Sequence, residues 1–394
     1  MRKVVGPNAA EMKRRNRLRV LRLVHRSPLS RAELARETGL TPAAVSVIVS
    51  DLRQQGILME TGEKRSSGGR EGVLLDLNPA CGCALALSLT RSETEVGLVD
   101  LKGRLLLHRE VNGQASSSRR AALDAIRRAL RRLLRSSIAR RSRYLGLGIS
   151  APGPVDVSSG TILNPPNFEL WHSTRICHEL RDPAGANVFV ANNSQGLAMA
   201  EKYHGIGRQC SNFVLLVIDT GIGGGIVRDD ELFYGWHGFG SEIGHTSINY
   251  NGPMCNCGLR GCVELYASTP AVLRRARLHY PRLESWKALV DLAYGGDPTC
   301  RRLLHEQARA VATVLINVVN VLEPEAVVLT GDVLYRGEMF RATVEQHLHR
   351  GAINRGLRHV PVYLSTIREH YGLMAAAGII LERFFQGDLE LPVI

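Results

Sequence analysis

The N-terminal region carries apolar residues at helical spacing, in short runs that turn residues separate. In residues 11–25, Leu18, Leu21 and Val24 share one face while basic side chains occupy the others, a pattern that predicts an amphipathic helix. A later run repeats the spacing i, i+3, i+4, i+7 that is typical of a buried helix face. Its apolar residues are Val45, Ile48, Val49 and Leu52.

Turn residues between these runs predict where the helices begin and end. Ser30 and Glu33 have the spacing of a capping box, in which each side chain bonds the other residue's backbone N–H. Gly39 suits the left-handed residue after a helix, and Thr41 followed by Pro42 predicts a new helix start. Three helices joined by short turns form the helix-turn-helix layout.

Two short runs of β type follow the third predicted helix. Residues 56–60 and 73–77 flank a tip rich in glycine and serine, residues 62–72, as expected of a two-stranded wing. We therefore predict a winged helix-turn-helix over about residues 10–77, which favours binding to double-stranded DNA. The alternative is a small helical module that binds another protein.

In this fold the third helix enters the major groove, and its outward residues face the bases. Small side chains there permit close approach, and Ala or Val can contact thymine methyl groups. The predicted base-facing residues are Thr41, Ala43, Ala44, Ser46, Val47 and Ser50. Ser30, Arg31 and Arg53 are predicted to contact phosphates, which fixes the register without specifying sequence.

Arg70 ends the stretch Ser66–Arg70 at the tip of the predicted wing. An arginine on a glycine-rich tip can enter a narrow minor groove. The alternative is a solvated loop arginine.

From about residue 80 the pattern changes to alternating β-type runs. Residues 84–89, 94–101 and 105–111 predict three strands of a meander, and residues 119–141 predict an amphipathic helix. Further strands are predicted at 144–149, 189–191 and 213–218, with a helix at 308–322. This alternation favours an α/β body. Two strand–loop units punctuated by glycine predict two related lobes.

Composition places the chain among globular proteins. Its 394 residues are 44% hydrophobic, 22% charged and 5% aromatic, which excludes disordered, collagen-like and disulfide-dense classes. No apolar run reaches the roughly 18 residues of a membrane span, and no signal peptide is recognisable. Eight cysteines are expected to be thiols of a reducing compartment. We therefore expect a bacterial-type cytoplasmic protein, nucleoid-associated when bound to DNA.

The net charge of +13 is concentrated in two segments. Residues 1–79 carry 15 basic against 8 acidic side chains, and residues 116–145 carry ten arginines against Asp124. The remainder is close to neutral, so a basic N-terminal domain precedes a near-neutral body, as expected of a polyanion-binding domain attached to a different function. The second basic segment is either a further DNA contact or a solvated helix face.

A Cys/His motif is the most specific chemical signal in the chain. His245, Cys255, Cys257 and Cys262 form a Cys₃His set, a composition that zinc uses in closed structural sites. Hydrophobic periodicity does not explain three cysteines within eight residues, Cys255–Cys262. The alternative is a group of reduced, metal-free cysteines.

Four segments together resemble the ROK family of repressors, open reading frames and kinases, and within it the sugar-responsive transcriptional regulators. The resemblance covers about residues 12–385. The segments are Gly148–Asn167, Val190–Gln195, Asp219–Ile226 and Gly240–Glu264.

The resemblance implies an α/β two-lobed, sugar-kinase-like body of the actin and hexokinase type behind the winged helix-turn-helix. The implied domains are 1–78, which binds DNA, and 79–394, which senses a sugar and contains a zinc loop at 245–262. Family members hold zinc at the matching positions, so the expected cofactor is a structural zinc ion. Four protein ligands leave no open position for water.

The resemblance also implies the sugar-binding residues. Sugar hydroxyls require convergent carboxylates and amides. The implied contacts are Glu242, His245, Glu264, Asn192 and Asn193, with Gly153 and Asn167 as further contacts. His245 would bind metal through one ring nitrogen and face the sugar with the other. The alternative for the two glutamates is that they are ordinary surface carboxylates.

The sequence departs from the family pattern where a kinase would perform chemistry. Kinases of the family have an Asp where this chain has Asn193, and an amide is no useful general base. Their Asp-x-Gly-Gly-Thr phosphate loop corresponds here to Ser88–Ser92, which lacks the Asp and both glycines. The glycines of Asp219–Ile226 are a weak nucleotide signal, and the alternative is a retained structural turn between strands.

The sequence thus predicts a non-enzymatic DNA-binding transcriptional regulator, a repressor whose ROK-like body binds a sugar or sugar derivative as effector. Expected partners are double-stranded operator DNA, the sugar and a second copy of the chain in a homodimer or tetramer. Two alternatives are an ATP-dependent sugar kinase with a DNA-binding head and a regulator controlled by a protein partner.

Overall fold

The computed structural model describes residues 8–65, 71–111, 118–181, 187–353, 356–357 and 359–389. They form two compact units. The first draws on residues 1–152, 159–190 and 372–394, and the second on residues 153–158 and 191–371. Within the described ranges no helix combines the length and apolar character that crossing a membrane requires.

The N-terminal head of the first unit has three helices and a hairpin, which confirms the predicted winged helix-turn-helix. Its elements are α1 (Ala9–Arg26), α2 (Arg31–Thr38), α3 (Pro42–Gln54), β1 (Leu58–Arg65) and β2 (Gly72–Leu77). The two strands pair antiparallel. The wing tip with Arg70 lies outside the described residues.

The predicted helix boundaries in the head are confirmed by their hydrogen bonds. Ser30 Oγ accepts from the Glu33 N–H at 3.3 Å, and Glu33 Oε2 accepts from the Ser30 N–H at 2.8 Å. Gly39 ends α2 with a φ of 68°, in the left-handed region that favours glycine. Thr41 Oγ1 accepts from the Ala44 N–H at 3.2 Å. Local sequence alone therefore sets these turns.

A five-stranded sheet forms the rest of the first unit's core, in the order β5-β4-β3-β6-β9. Its predicted meander is confirmed, because β4 pairs antiparallel with both β3 and β5, while β3 runs parallel to β6. The elements from this part of the chain are β3 (Gly82–Leu89), β4 (Thr94–Asp100), β5 (Leu105–Glu110), α4 (Arg119–Leu134), α5 (Ser137–Arg140), β6 (Arg143–Ala151), β7 (Val155–Asp156), β8 (Thr161–Ile162), α6 (Ile176–Glu179) and β9 (Asn187–Asn192).

The single helix predicted over residues 119–141 is two helices. α4 ends at Leu134, and the Ser136 side chain then accepts from the Ala139 N–H at 3.2 Å to begin α5. A serine that caps a new helix competes with continuation of the old one. The helical spacing of the apolar residues continues across this break, so the sequence pattern did not reveal it.

The second unit contains a matching sheet, in the order β12-β11-β10-β13-β14. Its strand β10 pairs antiparallel with β11 and parallel with β13, as β3 does with β4 and β6, which confirms two related lobes. The remaining elements are α7 (Asn193–His204), β10 (Phe213–Ile218), β11 (Ile222–Arg228), β12 (Glu231–Leu232), α8 (Glu264–Ala267), α9 (Thr269–Arg277), α10 (Trp286–Tyr294), α11 (Pro298–Leu322), β13 (Ala326–Gly331), α12 (Glu338–Gly351), β14 (Val362–Leu364) and α13 (Tyr371–Gln386).

Helix α13 packs closely on the first sheet, because glycine residues of the strand and of the helix lie at the contact. A Cβ on Gly148 of β6 would lie 2.1 Å from the Ala376 carbonyl oxygen, closer than any side chain permits. A Cβ on Gly372 would likewise lie 2.1 Å from Ser88 Oγ. The helix and the sheet can therefore be this close only where a side chain is missing.

The far end of α13 contacts α1 of the head. Arg14 donates to the Gly387 carbonyl at 2.6 Å, and Arg22 Nε donates to the Phe385 carbonyl at 3.0 Å. The His25 and Phe385 rings meet edge to face with centroids 4.8 Å apart. The predicted head and the first sheet accordingly belong to one compact unit.

Two valines on α3 allow a matched test of the head. Val49 is fully buried and Val47 is 64% exposed. We expect Val49→Ala to lower the free energy of opening of residues 42–54 by about 2 kcal/mol, because it loses two methyl groups and leaves a cavity. Native-state hydrogen exchange measures this opening. Val47→Ala is the control and should change it by less than about 0.5 kcal/mol; equal effects would contradict the assigned helix face.

Candidate functional site

The outer face of α3 presents the residues predicted to contact bases. Thr41, Ala43, Ser46, Val47 and Ser50 are exposed, and Ala44 is half-buried. Small side chains surround an exposed apolar residue, a surface that a DNA groove could cover closely.

The residues predicted to hold phosphates have different environments. Arg31 is half-buried, and Arg53 is exposed with its guanidinium 2.9 Å from Glu60 Oε1. Ser30 is only 1% exposed, and its hydroxyl donates to Glu33 at 2.9 Å. Of the three predicted phosphate contacts, Ser30 is thus the buried one, and its side chain caps a helix.

The four residues of the predicted metal site come together in the second unit. One ligand atom from each of His245, Cys255, Cys257 and Cys262 lies within 4.8 Å of the others. Cys255 Sγ is 3.6 Å from His245 Nδ1, and Cys257 Sγ is 3.5 Å from Cys262 Sγ. Zinc–sulfur bonds of about 2.3 Å separate tetrahedral ligand atoms by about 3.8 Å. The donor set and its spacing therefore fit a zinc ion.

The loop that carries these cysteines depends on glycine. Gly258 and Gly261 have φ values of 91° and 70°, and a Cβ on Gly261 would lie 1.8 Å from the Asn249 carbonyl oxygen. Burial and the neighbouring sulfurs of Cys257 and Cys255 raise the pKa of Cys262 to about 12. The Cys262 thiol therefore resists ionisation unless a cation binds beside it.

Two carboxylates lie next to this loop in the same unit. Glu264 begins α8, and its Oε2 accepts from the Ile222 N–H at 2.9 Å. Glu242 retains solvent contact, but the surrounding protein partly desolvates its carboxyl and raises its pKa. His245 counteracts this effect, while the charge of Glu264 adds to it. Two adjoining carboxylates and an imidazole provide the donors and acceptors that a polyhydroxylated ligand requires.

The amide residues of the predicted site lie at the start of α7. The Asn192 side chain accepts from the Ser194 N–H at 3.0 Å and caps the helix, and Asn193 is the first helical residue. A Cβ on Gly153 would lie 2.4 Å from Asn192 Nδ2, so glycine permits this approach. Gly153, Asn192 and Asn193 thus belong to the second unit with Glu242, His245 and Glu264.

Asn167 is the predicted sugar contact that lies in the other compact unit. It is exposed on a turn with a φ of 56°. The structure therefore does not group it with the six residues of the second unit.

The glycines of β11 have a role that the sequence did not reveal. A Cβ on Gly223 would lie 1.9 Å from Ser194 Oγ, and one on Gly224 would lie 2.4 Å from the Ser241 carbonyl oxygen. The start of α7 and the Ser241 segment therefore pack against opposite faces of one bare strand. The turn between strands lies at residues 219–221, where the Asp219 N–H donates to the Gly221 carbonyl at 2.9 Å, and the glycines at 223–225 are strand residues.

The segment Ser88–Ser92 forms a hydrogen-bonded turn without glycine. Thr90 Oγ1 accepts from the N–H groups of Ser92 and Glu93, at 3.3 and 3.0 Å. Ser88 is only 1% exposed. These backbone donors face a side chain of the turn itself, in place of the open backbone that a phosphate loop presents.

Two family models match separate parts of the chain. Residues 84–383 match the ROK family, and residues 12–68 match the MarR family. The ROK match spans both five-stranded sheets, and the MarR match spans the helices of the head.

Individual relatives include repressors and kinases. The chain is 27% identical to the xylose repressor of Bacillus spizizenii, over 92% of this chain and 93% of the repressor. It is 30% identical to the glucokinase of Thermotoga maritima, over 76% of this chain and 97% of the kinase. The solved structure of a ROK family transcriptional regulator, a homologue of the E. coli MLC protein, matches with a TM-score of 0.79 and 25% identity, covering 95% of this chain and 97% of that one. The chain belongs to the ROK family.

Proposed function

We propose that this chain is a DNA-binding transcriptional repressor whose ROK body binds a sugar or sugar derivative as effector. The observation that carries the proposal is the share of the chain that each kind of relative matches. The similarity to a repressor extends over 92% of the chain, whereas the similarity to a glucokinase extends over 76%. The winged head accounts for this difference in coverage. The outer face of α3 is suited to binding DNA, which phosphorylation of a sugar does not require.

A kinase activity with an added head is disfavoured by two departures in one site. Asn193 replaces the general base expected of family kinases, and an amide cannot take up the proton of a sugar hydroxyl. The Ser88–Ser92 turn lacks the glycines that would open its backbone to phosphate. The absence of both the general base and the open phosphate loop supports a body that binds sugar without phosphorylating it.

On the DNA side, α3 would enter the major groove and the wing would lie beside it. Arg31 and Arg53 would contact phosphates and fix the register. A homodimer or tetramer would place two heads on a near-palindromic operator, since symmetric proteins bind symmetric sites. We take residues 1–78 as the DNA-binding domain and 79–394 as the sensing domain.

On the sugar side, Glu242, Glu264 and His245 would bind hydroxyl groups with Asn192 and Asn193. The Cys₃His cluster would hold a structural zinc ion, which stabilises the loop between the glutamates when bound. His245 Nδ1 is 3.6 Å from Cys255 Sγ, so this nitrogen would be the metal ligand and Nε2 would be left for the sugar. Metal and effector would thus share one side chain.

The effector would act by population shift, binding one conformation better than the other. The chain passes from the second unit to the first between Tyr371 and Gly372, at the start of α13. The other end of this helix contacts α1 of the head. A change at the sugar site can therefore reach the DNA-binding helices through one continuous helix, altering the spacing of the two heads in a dimer.

The zinc proposal predicts a metal-dependent body. Cys257→Ser should lower zinc content from one ion per chain to nearly none and lower the unfolding temperature, because metal binding at a closed site contributes to folding stability. Elemental analysis and thermal unfolding measure both effects. Cys210→Ser, outside the cluster in the same unit, should retain zinc. Zinc retention by Cys257→Ser would contradict the ligand assignment.

The DNA proposal predicts steep salt dependence and a sensitive position on α3. Four phosphate contacts would weaken binding about 100-fold between 50 and 200 mM salt, measured by anisotropy on a duplex selected from a random library. Val47→Asp should weaken binding at least tenfold by placing a carboxylate against the bases. Leu278→Asp, at an 81% exposed site in the body, is the matched control. A flat salt dependence, or equal effects of both variants, would oppose the proposal.

The sugar proposal predicts ligand stabilisation that depends on Glu242. Among D-xylose, D-glucose and N-acetyl-D-glucosamine, we expect at least one to raise the unfolding temperature of the native protein. At a hundred times its Kd, such a sugar adds about 2.7 kcal/mol to the free energy of unfolding. Glu242→Gln should abolish this shift while operator affinity stays unchanged. The exposed Glu284→Gln should keep both. A full shift in Glu242→Gln, or joint loss of sugar and DNA binding, would contradict separate sites.

A further inference from the structure

A second cluster of metal-ligating side chains lies far along the chain from the Cys₃His loop. His349 belongs to α12, His359 precedes β14, and Glu345 lies one helical turn before His349. One ligand atom from each lies within 4.8 Å of the others. The His359 side chain is 63% exposed and His349 is half-buried, so the cluster is accessible from solvent.

An acceptor lies near Nε2 of each imidazole. His349 Nε2 is 3.2 Å from the Val360 carbonyl oxygen, which can only accept. His359 Nε2 is 3.4 Å from Glu345 Oε1, and an ionised carboxylate also only accepts. These acceptors favour a hydrogen on Nε2 of each ring, which in a neutral ring leaves Nδ1 as a lone pair.

Glu345 is held in its ionised form. Burial opposes ionisation, but the Val362 N–H bond and the Arg341 guanidinium lower the pKa of Glu345 below its ordinary value. Arg341 donates to Glu345 Oε2 at 2.7 Å, and the Val362 N–H donates to Oε1 at 3.2 Å. Two hydrogen bonds thus fix the carboxylate, which lies beside the His359 ring.

The Nδ1 atoms of the two rings lie close together. His349 Nδ1 and His359 Nδ1 are 3.0 Å apart, and the ring centroids are 3.8 Å apart with the planes tilted by 45°. Two lone pairs at this distance repel each other. A hydrogen on one of the two Nδ1 atoms, or a metal ion bound to both, relieves this repulsion.

We propose that His349 and His359 form a binding site for a divalent transition-metal ion, separate from the Cys₃His cluster, with Glu345 orienting His359. Metal–nitrogen bonds of about 2.1 Å to two atoms 3.0 Å apart enclose an angle of about 90°. Adjacent positions of a square-planar or octahedral ion have this angle, as in Ni²⁺ and Cu²⁺ sites. A tetrahedral ion would separate the nitrogens by about 3.4 Å. The carboxylate–histidine–metal arrangement is a recurrent way to fix a ligand's tautomer.

The test is calorimetric titration of the full-length, zinc-loaded protein, free of any polyhistidine tag, with NiCl₂. We expect one Ni²⁺ per chain with no loss of zinc and no thiolate-to-nickel absorption band, which would report binding at the cysteines. His349→Ala and His359→Ala should each weaken binding at least tenfold, because two ligands become one. Glu345→Gln should weaken it about tenfold by loosening His359.

His347→Ala is the matched control, since His347 lies on α12 outside the cluster, and it should bind Ni²⁺ as the native protein does. Thermal unfolding of each variant verifies that the body remains folded. Absence of Ni²⁺ binding in the native protein would overturn the proposal and leave a shared proton between the rings. Equal binding by the native protein and both histidine variants would also overturn it.

Discussion

The close packing of α13 on the first sheet is the contact on which the rest of this molecule depends. Gly148 lets the helix backbone approach β6, and the far end of the helix holds α1 through Phe385 and two arginines. The DNA-binding head therefore does not hang on a free linker. It shares one compact unit with a lobe of the sensing body, and any displacement of α13 acts on the head directly.

In the second unit, glycines likewise permit the close packing around the proposed effector site. Bare glycine positions on β11 let the start of α7 and the Ser241 segment contact the strand from both sides. The segments that carry Asn192, Asn193 and Glu242 are thereby fixed to a single strand, and Glu264 accepts from the Ile222 N–H of the same strand. The Ser241 segment leads along the chain into the Cys₃His loop, and Glu264 follows that loop. The proposed zinc would therefore stabilise the positions of the two carboxylates rather than react with the sugar.

Much of the head could be predicted from sequence, because caps and amphipathic spacing are local signals. Ser30 illustrates both the success and its limit: its capping box is confirmed, while its burial conflicts with the predicted surface contact. The Cys₃His cluster was also predictable, since few other roles explain three clustered cysteines. The break at Ser136 and the strand glycines were missed, because helix packing and close backbone approach involve partners distant in sequence. The contact of α13 with the head is likewise invisible to any local pattern.

The central claim is that sugar binding and operator binding are coupled through one chain, and linkage makes this directly measurable. Operator affinity should be determined by anisotropy with and without a saturating sugar that stabilises the protein. The account predicts that the sugar weakens operator binding by 5- to 150-fold, equivalent to about 1–3 kcal/mol of coupling. Operator DNA must then weaken sugar binding by the same factor. A sugar that binds tightly yet leaves operator affinity unchanged would contradict the account.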